Sequence, residues 1–241
     1  MTKCLSSSRK RYQYFQRLIK FREMDFEFAM WQMLYLCVSP RKVYRNFHYR
    51  HQTKHQWARD DPAFLVLLAM ALCISSIGFA IVLKLNVLAF VKFLFWVIFI
   101  DCIGVGLAIG TLLWFITNKY LKEKQSHGSE QSVEWLYSFD VHLNAFFPLL
   151  IVLHVVQMIF MPVIIDQPYF ISCLIGNSLW LIALIYYNYV TFLGYSALPF
   201  LKNTVVILYP VLAFILIYIF SLIFGWNIGK SVMTFYRYRI L

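Results

Sequence analysis

The chain has 241 residues, of which 61% are hydrophobic and 14% charged, whereas soluble domains run nearer ~45–50% and ~25%. With 19% aromatic residues and a mean hydropathy of +0.66, the composition excludes an ordinary soluble enzyme and directs attention to apolar runs long enough to cross a bilayer. The net charge of +11 is unevenly spread, because residues 1–61 hold 13 of the 22 Lys and Arg but only five of the 11 acids. The five cysteines are scattered singly, so neither a disulfide framework nor a zinc ribbon is implied.

The first 22 residues contain no acid and read as a solvated basic tail beside a membrane rather than a mitochondrial presequence. A secretory signal peptide is not expected, since no apolar core occurs before residue 26. Residues 26–38, FEFAMWQMLYLCV, are strongly apolar but too short to span. Ser39 and Pro40 then read as the start of a second helix carrying Arg41, Lys42, Arg45 and Arg50. The pair is expected to lie on the cytosolic leaflet as a helical hairpin, with Trp31, Tyr35, Tyr44, Phe47 and Tyr49 at headgroup depth and the basic groups toward anionic lipid.

Five apolar runs follow, at about 64–83, 94–116, 145–165, 170–193 and 204–226, each long enough to cross ~30 Å at 1.5 Å per residue. Asp61 and Pro62 precede the first as a helix start. The expected fold is therefore an all-α integral membrane protein, with a basic cytosolic tail (1–61) and a five-span membrane domain (62–241). With the N-terminus cytosolic, 17 Lys and Arg fall on the cytosolic side and five on the other. The positive-inside rule thus places the N-terminus in the cytosol and the C-terminus in the lumen.

Within these runs Asp101 is the one acid, and His154 lies near the middle of the third with Gln157 on the same face. A carboxylate at membrane depth is a functional hypothesis by default. An Asp101 to His154 relay would suit a small transporter, but two such groups are few for one, so the leading reading is a structural interhelical hydrogen bond. Gly106 and Gly110 form a GxxxG pattern expected to serve close helix packing within the chain. His48, His51 and His55 would share one helical face, yet Arg45, Arg50 and Lys54 crowd them, which favours a solvated basic face over a metal site. His55 and Asp60 match an H-x4-D acyltransferase spacing that arises readily by chance. No catalytic, cofactor-binding or metal site is expected. Basic and aromatic residues interleave through 9–59, a pattern fitting single-stranded RNA, although a membrane surface uses the same groups.

Whole phrases are recognisable: FEFAMWQMLYL, SPRKVYRNFHYR, QWARDDPAFLVLL, DCIGVG, FDVHLNAFFP, GNSLW, YVTFLGYSALPFLKNTV and FYRYR. Over residues 23–239 the chain closely resembles the Unc-fifty (uncoordinated-fifty) family of Golgi multi-span proteins; His48 fits the family pattern, whereas His51 and His55 depart from it. The resemblance implies five spans with a cytosolic N-terminus, residence in Golgi membranes, and a non-enzymatic role in vesicular trafficking of receptors such as nicotinic acetylcholine receptors. It also implies contact with guanine-nucleotide exchange factors for Arf GTPases and, as an alternative, RNA binding at the inner nuclear membrane. It supplies no catalytic residues. The expected partner or lipid surface is Arg41, Lys42, Arg45 and Arg50, while Asp101, His154 and Gln157 are expected to be structural.

Overall fold

The computed structural model describes residues 24–46, 57–59, 61–123 and 131–240. Five helices are long and apolar enough to cross a membrane, because each buries its backbone hydrogen bonds internally and presents apolar side chains outward. They are preceded by the short helix α1 (Phe26–Val38) and a helical segment at 40–46. In chain order they are α2 (Ala63–Val82), α3 (Val87–Leu121), α4 (Trp135–Ile165), α5 (Phe170–Ser196) and α6 (Thr204–Ile223). A final helix, α7 (Ile228–Ile240), follows.

The start of α2 is read correctly from the sequence: Asp61 Oδ1 accepts from Ala63 N at 3.0 Å, satisfying one of the N–H groups that a first turn leaves open. Asp61 Oδ2 also accepts from Asp25 N at 2.8 Å, tying the beginning of α1 to that of α2. The second and third spans start earlier than their apolar runs suggest, at Val87 and Trp135. Asp101 is consequently deeper in α3 than expected, and Asp140 becomes a second acid within a membrane-crossing helix. The connection between α3 and α4 shrinks from 118–142 to 122–134.

The central helix is α4. Over Trp135–Leu150, 11 of 16 residues are buried, so this first half of the helix is surrounded mainly by protein, while Ile159 and Val163 further on are exposed. It packs along α5 and against α3, and α1 docks across α2 and α4. By contrast α6 leaves Leu212, Leu216, Phe220 and Ile223 exposed, the outward face of a lipid-bathed span. At the N-terminal end of the bundle, Trp57, Leu121, Tyr137, Tyr195 and Phe200 form a small second core. There the α3–α4 connection is pinned by Lys202 N donating to the Leu121 carbonyl at 2.9 Å and by a Lys202 to Glu123 ion pair.

The expected N-terminal helical segment is present over its described part, and it docks more deeply than expected at one face. Helix α1 buries Ala29, Gln32, Met33 and Leu36 in the bundle, and the Tyr186 hydroxyl of α5 donates to the Leu36 and Cys37 carbonyls at 2.8 and 2.9 Å. Tyr44 is 4% exposed and belongs to the main core, not to headgroup depth. The apolar 13-residue run is too short to span; one face packs on protein, and Met30, Leu34 and Val38 stay exposed on the other.

Candidate functional site

Two places gather the residues expected to matter. The first is the basic segment 40–46. Ser39 and Pro40 begin it as expected, with Lys42 N donating to the Ser39 carbonyl at 3.0 Å. Its inward residues Val43 and Tyr44 are buried, while Arg41, Lys42 and Arg45 are exposed. Arg41 Nε donates to the Tyr189 hydroxyl at 2.9 Å, and Lys42 Nζ stands 5.0 Å from the Tyr35 ring centroid. Arg41, Tyr44 and Arg45 border a shallow groove with Leu193, Ser196 and Ala197. The segment is thus a rigid cationic ledge on the bundle rather than a loose tail. Arg50 lies outside the described residues, as do His48, His51, His55, Phe47, Tyr49, Lys54 and Asp60.

Behind this ledge is a buried polar cluster. Arg59 N donates to Asp140 Oδ2 at 2.7 Å, the Arg59 guanidinium donates to Asn144 Oδ1, and the same guanidinium lies 3.8 Å from the Phe64 ring centroid. Asn144 Nδ2 reaches the Tyr44 hydroxyl at 3.4 Å. Burial pushes the Tyr44 phenol well above its ordinary pKa, against the opposing pulls of Asn144 and Arg59, so it stays protonated. Sequence reasoning missed this cluster. The signal for it was present: Asp140 and Asn144 are four apart, and residues at that spacing share a helix face.

The second place is a cavity inside the bundle lined by Asp101, His142, His154, Gln157, Trp180, Tyr187 and Tyr236 among apolar groups. Asp101 sits in a wide π-helical stretch, Trp96–Gly104, and His154 in another, Ile151–Val156; such stretches are rare and often accompany functional positions. The expected Asp101 to His154 hydrogen bond is not formed. Asp101 accepts from the Tyr236 hydroxyl of α7, whereas His154 Nδ1 pairs with Ser75 Oγ of α2 at 3.2 Å. Helix α7 folds back over the bundle and captures the carboxylate. His142, also unremarked in the sequence, joins α3 to α5 through the Cys102 carbonyl at 3.1 Å and the Tyr187 hydroxyl at 2.8 Å. Asp101, His142 and His154 therefore each tie two helices together, and Asp101 and His154 have separate partners.

Five apolar helices, one of them central to the other four, define an α-helical, multi-pass membrane protein. Its sequence matches the profile of the UNC-50 family over residues 14–237, beginning somewhat before the phrases recognisable from residue 23. It is similar to the protein unc-50 homolog of Homo sapiens, 61% identical over 231 residues that cover 96% of this chain and 88% of that protein. The Danio rerio homolog is 58% identical over 233 residues, covering 96% and 89%, and the Drosophila melanogaster homolog 52% over 237, covering 98% and 85%. No solved structure matches this chain. The chain belongs to the UNC-50 family.

Proposed function

We propose that this chain is a non-enzymatic Golgi membrane protein that acts in vesicular trafficking and in surface delivery of receptors such as nicotinic acetylcholine receptors, by recruiting Arf guanine-nucleotide exchange factors. In this reading the N-terminus faces the cytosol and the C-terminus the lumen. The observation that carries the mechanism is the ledge at 40–46: Arg41, Lys42 and Arg45 are exposed while Tyr44 and the Arg41 to Tyr189 hydrogen bond fix the segment to α5. A pre-ordered row of cations costs little ordering entropy on binding an acidic patch or anionic lipid. Its charge raises association rate and makes it salt-sensitive.

Lys42→Glu with Arg45→Glu tests this, because neither side chain makes a hydrogen bond that holds the bundle together, whereas Arg41 does. The double variant is expected to insert normally and reach the Golgi at wild-type abundance, with the exchange factor on Golgi membranes and surface receptor counts both lowered several-fold. Imaging of the exchange factor alongside receptor counts, in cells carrying only the variant, measures both. Unchanged values at normal abundance would remove the ledge from the mechanism.

A further inference from the structure

The cavity between α3, α4, α5 and α7 holds polar groups that the packing of the fold does not use. Its volume is about 260 Å³, just below the ~300–1,000 Å³ usual for small-molecule sites. Gln157 is 1% exposed and lines the cavity, yet neither Nε2 nor Oε1 has a hydrogen-bond partner among the described residues. Trp180, on α5, lines the same space with its indole Nε1 likewise unpartnered. On the α7 side the Gln157 amide is backed closely by Gly229, where an added Cβ would stand 2.9 Å from Nε2. Burying an amide and an indole N–H without partners is unfavourable anywhere, and most of all at membrane depth, where bulk water does not replace the missing bonds.

The chemistry of the lining selects the ligand. No Lys or Arg lines the cavity, so an anionic headgroup finds no counter-charge, and the one carboxylate is already engaged by Tyr236. Gln157 offers both a donor and an acceptor and Trp180 a donor, a set that a hydroxyl satisfies by donating once and accepting once. The other polar lining groups, His142, His154, Tyr187 and Tyr236, are engaged in bonds between helices, the rest of the wall is apolar, and the space suits a small hydroxyl-bearing headgroup with the start of one chain. We propose that this cavity binds a neutral single-chain lipid, its hydroxyl-bearing end bonded to Gln157 and Trp180 and its hydrocarbon chain along the apolar wall. This site is independent of the cationic ledge and of the trafficking reading.

The test uses the purified full chain in nanodiscs and a monoacylglycerol carrying a photoactivatable group on its chain, beside a hydrocarbon probe of equal length without the glycerol. The monoacylglycerol is expected to label the apolar cavity wall, at residues such as Leu149, Leu153 and Leu184, saturably, and to be displaced by unlabelled monoacylglycerol. Gln157→Leu should weaken that binding about tenfold, as for the loss of two hydrogen bonds. Ile109→Phe, which fills the cavity from α3 and removes neither polar group, should abolish the labelling at an unchanged melting temperature. Should Gln157→Leu fail to fold, competition on the unaltered chain and the Ile109→Phe variant decide the matter. Labelling that spreads over the lipid-facing α6 without saturating, that both variants leave intact, or that the plain hydrocarbon probe reproduces, overturns the proposal.

Discussion

Asp101 illustrates what a single carboxylate does inside this bundle. It stands in α3, and its partner is the Tyr236 hydroxyl in α7, so the pair ties the C-terminal helix to the body of the molecule. Asp101→Asn keeps the shape and an acceptor oxygen, and it is expected to give near-normal folded yield and melting temperature in detergent. Asp101→Leu removes the acceptor and strands the Tyr236 hydroxyl, for a cost of about 1–3 kcal/mol. Differential scanning of the two purified variants separates the cases. An Asn variant as unstable as the Leu variant would mean that the ionised carboxylate itself is required.

At the scale of elements, the packing of α3 on α4 rests on the GxxxG pair. A Cβ at Gly106 would stand 2.4 Å from the His142 ring, and one at Gly110 would sit 3.4 Å from the Phe139 backbone, so the two helices approach where side chains are missing. Gly106→Leu should displace His142 from both the Cys102 carbonyl and Tyr187, destabilising the protein by ~1–3 kcal/mol or more through overpacking. A loss of monodisperse protein in size-exclusion chromatography reads the effect, while Leu112→Ala on the exposed face of α3 should change little. The motif is legible in the sequence, but its partner is not, since a GxxxG in an apolar run serves a dimer equally well; the approach of Gly106 and Gly110 to His142 and Phe139 settles it. The start of α4 was not legible in the same way. Its first three turns carry Asp140, His142 and Asn144, which look like a loop until Arg59, Tyr187 and Tyr44 are seen to satisfy them. Helix α1 is a similar case: its length excludes a span, but its docking depends on Tyr186, some 150 residues away.

For the whole molecule, an odd number of crossings sends the two ends of the chain to opposite faces of the membrane, and the distribution of charge decides which is which. Seventeen Lys and Arg lie on the N-terminal side and five on the other, so the expected orientation has the N-terminus in the cytosol. Three of those five, Lys230, Arg237 and Arg239, belong to α7 and run against the rule. The structure gives two of them local reasons to be there. Lys230 Nζ lies 3.8 Å from Asp166 and donates to the Gln167 carbonyl at 3.3 Å, and the Arg239 guanidinium stands 5.4 Å from the Trp96 ring centroid. These contacts follow folding, whereas orientation is fixed during insertion by the larger basic excess before α2. In sealed microsomes, added protease should therefore remove a tag placed before Met1 and spare one placed after Leu241 until detergent opens the membrane. Protection of the first tag with cleavage of the second would invert the molecule and carry the ledge of Arg41, Lys42 and Arg45 away from cytosolic exchange factors. Cleavage of both would mean that one of the five helices does not cross.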